Sequence, residues 1–151
     1  MTKSVNRNLS PKMQNILKEE NMAARVIFDP NGFENIIENG EAVGFRFRWK
    51  SQYYRGITLS IVHDIKVNID GEDIPSEDIS MTVNGETFTL DEMSTVVDSD
   101  YRWEFGDYAA VNVKKAGGLA KGPHHLVAVQ HIAPSYMPFP WITECKADFT
   151  I

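Results

Sequence analysis

Along most of the chain, hydrophobic residues alternate with polar ones, which is typical of strands that have one buried face. The longest such run extends from Ile57 to Ile69, with apolar residues at every second position on both sides of His63. A regular strand of this length would span about 43 Å at ~3.3 Å per residue. We therefore expect a bend or bulge inside the run, near His63.

Turn signals divide the chain into short segments. Asn39-Gly40, Asp70-Gly71 and Asn84-Gly85 each stand between two alternating runs, which predicts three tight hairpins. Further strands are predicted in the segments YRWEF, YAAVNVKK and HHLVAVQHIA. Because turn signals recur without an interior helical pattern, the sequence predicts an all-β fold, an antiparallel β-sandwich of the immunoglobulin-like or jelly-roll-like kind.

The N-terminal residues have a different pattern. Ser10 can cap a helix and Pro11 suits its first position, and apolar residues follow at helical spacing. This predicts a short helix within an N-terminal extension, residues 1–24, which either packs on a partner or frays. The β-sandwich domain is assigned to residues 25–151.

Composition excludes several classes of protein. The 151 residues suit one domain, and 42% hydrophobic with 24% charged residues is ordinary for a soluble protein. A net charge of -6 without a cluster of basic residues argues against nucleic-acid binding. No apolar run is long enough to span a membrane, and no secretory signal is visible. With a single cysteine, we expect a cytoplasmic protein.

Residues that could perform catalysis form no recognisable constellation. Neighbours on a strand point to opposite faces, so His63-Asp64 cannot be a dyad if both residues lie in regular strand, and His124-His125 cannot both bind one metal ion. His125 and His131 share a face but would stand about 20 Å apart. Convergence of side chains from different strands stays open. We assign no catalytic residue and no metal ligand to this chain.

The remaining candidates have structural interpretations that are more common. His63 is expected in the core or at a bulge, with a functional or interface role as the less frequent alternative. Acidic residues beside the turns could bind calcium, but capping carboxylates occur more often. Gly117-Gly118 lacks the residues of a phosphate-binding loop and predicts a turn. Cys145 is expected to be a buried or idle thiol.

Two segments rich in aromatic residues stand out, WKSQYYRG and PSYMPFPW. Aromatic residues, Met and Arg are enriched at protein interfaces, and aromatic rings also stack on sugars. A protein interface and core packing are equally good interpretations of these segments. A platform on which a ligand stacks is the less favoured third interpretation. The residues predicted to face a partner or substrate are Tyr53, Tyr54, Arg55, Tyr136, Met137 and Phe139.

Several blocks together resemble one known family. YYRGITLSIVHDIKVNIDGEDIP, TVNGETFTLDEM, RWEFGDYAAVNVKKAGGLAKGPHHL and SYMPFP, in this order, are similar to the small β subunit of bacterial C-glycoside deglycosidases. The resemblance covers residues 25–151 and leaves the N-terminal extension outside. It departs from the family at His63, where the family pattern favours a carboxylate.

The resemblance implies an accessory, non-catalytic subunit of a hetero-oligomer. Its partner would be a TIM-barrel α subunit, similar to sugar isomerases and epimerases, that holds a divalent metal, usually manganese. The implied reaction is cleavage of the C–C bond between a 3-oxo sugar and an aromatic aglycone, such as a flavonoid, by β-elimination. His63 is then structural or interfacial, and the loops with Tyr53–Arg55 and Tyr136–Phe139 are expected to face the α subunit.

Two other functions stay open from the sequence. One is a stand-alone carbohydrate-binding β-sandwich that uses an aromatic platform, which would be a monomer with affinity for sugars. The other is a purely structural oligomerisation module. An obligate partner with an interface above about 1,600 Å² distinguishes the enzyme subunit from both.

Overall fold

The computed structural model describes residues 27–53, 55–96, 101–134 and 138–151. The described residues form β1 (Glu34–Glu38), β2 (Glu41–Lys50), β3 (Val62–Ile69), β4 (Glu72–Asp73), β5 (Ile79–Val83), β6 (Glu86–Thr89), β7 (Tyr108–Lys114), β8 (Pro123–Ile132) and β9 (Trp141–Thr150). They build a five-stranded sheet, β1-β2-β7-β5-β6, and a four-stranded sheet, β4-β3-β8-β9, both antiparallel. The predicted antiparallel β-sandwich is confirmed.

The two sheets share one hydrophobic core. Alternation along β2 directs Phe45, Phe47 and Trp49 inward, and all three are buried. β3 and β8 contribute the opposing layer from the four-stranded sheet, with buried residues Val62, Ile65, Val67, Ile69, Leu126, Ala128 and Ile132. The predicted inward faces of the long runs are therefore largely correct, because a period of two fixes which side chains share a face.

The three predicted hairpin turns are confirmed. Asn39, Asp70 and Asn84 have φ values of 52°, 52° and 51°, and the glycine after each is also at positive φ. Two consecutive residues at positive φ define the type I′ turn, whose twist matches that of the flanking strands. Asn and Asp tolerate this conformation better than other residues with a side chain.

The predicted strand over 57–69 is shorter in the structure. Leu59–Ile61 forms a turn of 3-10 helix, and β3 begins at Val62. Its pairing with β8 shifts register between Val62 and Asp64, so His63 is the extra residue of a β-bulge and is exposed. The expected bulge is confirmed, and it explains how a histidine stands in an apolar run without entering the core.

Two other predictions need correction. YRWEF does not form a strand; of this segment, only Trp103 makes an isolated bridge, to Ile57. Conversely, β9 was not predicted. It is an edge strand whose inward positions are Trp141, Thr143, Cys145, Ala147 and Phe149, and among these only Cys145 is fully buried.

Short helical turns complete the described chain, at Ser76–Asp78 and in α1 (Leu90–Met93). No helix among the described residues is long and apolar enough to cross a membrane. The helix predicted from Ser10 lies outside the described residues.

Candidate partner-binding surface

Three loops meet at one end of the sandwich, which we call the aromatic end: 51–56, 101–107 and 138–141. Antiparallel pairing brings the ends of β2 and β8 to this place, together with the starts of β3, β7 and β9. Direct contacts join the loops, since Ile57 pairs with Trp103 and the ring of Tyr53 contacts that of Trp141. The opposite end, which we call the hairpin end, contains the turns Asn39-Gly40 and Asp70-Gly71 and the loop 115–122.

A buried amide anchors the first of these loops. The side chain of Gln130, on β8, is fully buried. Its Nε2 donates to the carbonyl oxygen of Lys50 at 2.8 Å, and its Oε1 accepts from the backbone N–H of Gln52 at 2.9 Å. Because a buried polar group is costly without partners, this pair of bonds fixes the exit of β2 against the other sheet.

Tyr53 lies immediately beyond this anchor and is buried as well. Its backbone N–H donates to Ser51 Oγ at 3.1 Å, and its ring meets Trp141 edge-to-face at 5.6 Å between centroids. This is a favoured arrangement of two aromatic rings. Trp141 itself is partly exposed, so it covers Tyr53 with one side of its ring while remaining accessible to solvent.

The loop 101–107 is held by Trp103. Its backbone exchanges two hydrogen bonds with Ile57, its Nε1 donates to the carbonyl oxygen of Asp107 at 3.0 Å, and its ring stacks near Trp49 in the core. Trp103 is buried, but its near neighbour Phe105 is 66% exposed. The loop therefore presents an aromatic side chain to solvent from a backbone that is firmly anchored.

The aromatic end exposes several large apolar side chains. Phe139 is 73% exposed and Ile142 is 59% exposed, and Phe105, Trp141 and Tyr108 are accessible as well. Lys50 Nζ lies 5.1 Å from the centre of the Tyr108 ring, which is a cation–π distance. Tyr108 projects from the five-stranded sheet and Ile142 from the four-stranded sheet, so the exposed apolar residues surround this end of the sandwich. Large apolar side chains left exposed on a soluble domain often mark a docking surface.

The residues predicted to face a partner differ in their exposure to solvent. Phe139 and Arg55 are exposed at the aromatic end. Tyr53 is buried and contacts Trp141, so in this chain its ring is not a surface group. Tyr54, Tyr136 and Met137 lie outside the described residues. That the group faces a partner stays a prediction.

A separate groove crosses the outer face of the five-stranded sheet, with a volume of about 1000 Å³. Small and polar side chains form its floor, among them Ser80, Thr82, Ala110 and Asn112. Asn112 Nδ2 donates to Thr82 Oγ1, which also bonds with Thr87 Oγ1. Among the described residues that line it there is no aromatic ring, so they provide no stacking platform of the kind expected of a sugar-binding face.

The hairpin end is held by a charged hydrogen-bonded group. His124 Nδ1 lies 2.6 Å from Asp70 Oδ2, and Nε2 lies 2.6 Å from the carbonyl oxygen of Ala120. Both partners are acceptors, so both ring nitrogens carry a proton and the ring is an imidazolium. These bonds, that to Asp70 above all, raise the pKa of His124. The pKa of Asp70 is lowered by His124 and by the backbone N–H of His125.

Two other candidates from the sequence have structural roles. Burial, with a smaller effect of Glu144, raises the pKa of the Cys145 thiol to about 12, so the expected buried thiol is confirmed. Glu92 and Thr89 form a capping box at α1, and these bonds lower the pKa of Glu92. Within the described ranges, no three His, Cys, Asp or Glu side chains come together as a metal site.

Comparison with known proteins identifies the family. The sequence model described as C-glycoside deglycosidase beta subunit matches residues 23–136. A protein of that name from Eubacterium cellulosolvens is 41% identical over 108 residues, which is 71% of this chain and 72% of that protein. The chain belongs to the C-glycoside deglycosidase beta subunit family. The match covers β1 to β8 of this beta subunit, including the loops 51–56 and 101–107.

Sequence reasoning missed several residues that organise the aromatic end of this beta subunit. Gln130 gave a signal, because it occupies an inward position in the alternation of Leu126, Ala128 and Ile132. The positions of Trp141 and Ile142 at the aromatic end were missed because β9 was not predicted. Nothing in the local sequence distinguishes the buried Tyr53 from an exposed tyrosine, since its burial depends on a tryptophan 88 positions later.

Proposed function

We propose that this chain is the accessory subunit of a two-component C-glycoside deglycosidase and binds its catalytic subunit through the aromatic end. Membership of the beta subunit family supports the first part. One observation carries the second part, which is the exposure of Phe105, Phe139 and Ile142 at one end of the sandwich. The loop with Phe105 is anchored by the buried Trp103, and Trp141, which stands between Phe139 and Ile142 in the sequence, packs on the buried Tyr53.

The anchoring makes these side chains suitable for an interface. An exposed aromatic ring on a fixed backbone loses little conformational freedom when a partner covers it, and burial of its area favours association. Arg55 and Lys50 supply a polar rim, which accompanies an apolar centre in stable interfaces. We expect the complex to bury more than about 1,600 Å² in total.

In this proposal the partner is a TIM-barrel subunit that carries the acid and base groups and a divalent metal, manganese. The described residues of the present chain bring no three suitable ligands together, so they are not assigned to hold that metal. The substrate class is an aryl C-glycoside oxidised at sugar C3. The ketone acidifies the C2 proton, and its removal by a general base permits elimination of the aryl group, which is carbon–carbon lyase chemistry.

The test is association of the full-length chain with the barrel subunit from the same organism. We expect the double substitution Phe105→Ala with Phe139→Ala to weaken the Kd at least tenfold, measured by calorimetry. The matched control is Ile37→Ala, because Ile37 is 59% exposed but lies near the hairpin end. It should leave the Kd within twofold. Unchanged binding by the double variant, or equal weakening by Ile37→Ala, would contradict the assigned surface.

The same experiment addresses the carbohydrate-binding alternative. A chain that fails to bind the barrel subunit, stays monomeric and binds simple sugars would replace the proposed function by that of a binding module. Failure of the double variant alone would relocate the interface and leave the accessory function in place.

A further inference from the structure

The four histidines of the sequence fall into two classes. His124 uses both ring nitrogens in hydrogen bonds, and His125 Nδ1 lies 2.6 Å from Asp148 Oδ1. The rings of His63 and His131 make no hydrogen bond or ion pair with other residues in the described part of the chain. In His125 the Nε2 atom also has no hydrogen bond within the described residues, but His125 lies about 20 Å from His131 along β8 and has no second imidazole beside it on its face. His63 and His131 are therefore the pair of imidazoles that can bind one ligand together.

The bulge in β3 brings these two rings together. Val62 and Ile65 both face the core, so the extra residue between them, His63, projects from the outer face of the four-stranded sheet. On the neighbouring strand β8, His131 stands between the inward residues Gln130 and Ile132 and also faces outward. The ring centroids are 5.9 Å apart, with 40° between the ring planes.

We propose that His63 and His131 form a two-imidazole binding site for a divalent transition-metal ion. Imidazole nitrogen is a preferred ligand of Zn²⁺, Ni²⁺ and Cu²⁺ and binds these ions at about 2.0–2.1 Å. Two such ligands at a tetrahedral angle place their ring centres roughly 5 Å apart, so small side-chain rotations close the observed separation. His63 is exposed at the bulge and has room for this rotation.

The site has two protein ligands and open coordination positions. No third His, Cys, Asp or Glu of the described chain joins the pair, so water completes the coordination shell. The carboxylate of Asp64, which follows His63, accepts from the backbone N–H of Ile65 at 2.9 Å and is engaged in shaping the bulge. A two-ligand site of this kind binds Cu²⁺ more tightly than Zn²⁺, following the general order of affinities.

The inference does not rest on the proposed function, and the isolated full-length chain without an affinity tag tests it. Titration with ZnCl₂ is followed by NMR of the four imidazole Cε1–H signals. We expect the signals of His63 and His131 to shift together and saturate at one equivalent, while those of His124 and His125 stay unchanged. Absence of a saturable shift at these two residues overturns the proposal.

Substitutions then separate a chelate from weak binding to single histidines. His63→Gln and His131→Gln should each weaken the affinity at least tenfold, because one remaining imidazole gives no chelate. His125→Gln is the matched control, since His125 is also on the outer face of β8 but lies about 20 Å from His131 and cannot join a chelate with it, and the substitution should change the affinity less than twofold. Equal affinity in the wild type and His63→Gln would overturn the site; if His131→Gln does not fold, the exposed His63 decides the outcome.

Discussion

The two ends of the sandwich are stabilised in different ways. At the hairpin end, turns of two residues reverse the chain and exposed polar groups form the cross-links, among them Lys115 with Glu72 at 3.0 Å. At the aromatic end, next to the two-residue turn Asn84-Gly85, the loops 51–56 and 101–107 depend on buried contacts between residues far apart in the sequence, such as Gln130 with Lys50. The large apolar side chains at this end are only partly covered.

The hairpin end is encoded mainly by local sequence, whereas the aromatic end depends on contacts that form only in the complete fold. Short turns gain stability from backbone preference and need few tertiary contacts. Long loops lose more entropy on ordering, so they remain fixed only if buried groups hold them. Loops with a fixed backbone and exposed aromatic residues suit a docking surface. In this chain they lie at the end whose ordering costs more conformational entropy.

The largest effect is expected from removing the buried anchor of the aromatic end. Gln130→Met keeps the side chain's size but leaves the half-buried carbonyl of Lys50 and N–H of Gln52 without this partner. Each unsatisfied group costs about 1–3 kcal/mol, and denaturant unfolding should show this loss. Gln52→Ala is the control, because its backbone and not its side chain makes the bond. A variant as stable as wild type would show that the loop is held by other contacts.

A loss of stability of intermediate size is expected when glycine is replaced by alanine, and two glycines should differ in this loss. A Cβ atom at Gly44, on β2 towards the hairpin end, would lie 2.0 Å from the backbone oxygen of Val113, which cannot move without shifting β7. We expect Gly44→Ala to cost roughly 1–3 kcal/mol of unfolding free energy. Gly56→Ala at the aromatic end meets the carboxylate end of Glu104 at 2.4 Å, a flexible and exposed group, and should cost less than about 1 kcal/mol. Equal losses would contradict this reasoning.

The smallest effect concerns pH at the hairpin end. The pKa of His124 is raised, so its contribution to stability is full below about pH 6.5 and declines as pH rises through the raised value. The pKa of Asp70 is lowered, so its contribution is full above about pH 3.9 and is lost as pH falls through the lowered value. The pair therefore stabilises most between about pH 4 and 6.5.

Asp70→Asn tests this pH dependence, because asparagine also tolerates the positive φ of this turn. The difference in urea midpoint between the wild type and the variant should be larger at about pH 5.5 than at about pH 9. Asp148→Asn removes the partner of His125 and should show a smaller difference, since that pair is largely exposed. A difference that does not depend on pH would show that the imidazolium is not what stabilises this end.

Sequence patterns predicted the hairpin end better than the aromatic end. The turns at Asn39-Gly40 and Asp70-Gly71 are encoded by two adjacent residues each, and inward faces follow from alternation. The anchor at Gln130 and the burial of Tyr53 arise from contacts between distant strands, which no local pattern specifies. β9 escaped prediction because its inward positions include the polar Thr143 and the small Ala147 while the outward Ile142 is apolar, which weakens the alternation.

Local sequence patterns also failed to show how the histidines are arranged across neighbouring strands. Spacing along one strand correctly separated His125 from His131, but it could not show that His131 faces His63 across the sheet. A bulge changes which face a residue occupies, and its position depends on pairing with the neighbouring strand.

The bulge at His63 also determines where this strand tolerates a change in length. Deletion of His63 would leave Val62 and Ile65 two positions apart, so both would still point inward in a regular strand without a bulge. Deletion of a residue between Ile65 and Ile69 would instead move the inward side chains on one side of the deletion to the outer face. Position 63 is therefore the place in β3 where the chain can lose one residue and keep its core, while the outer face loses one of the two imidazoles that make no hydrogen bond within the described residues.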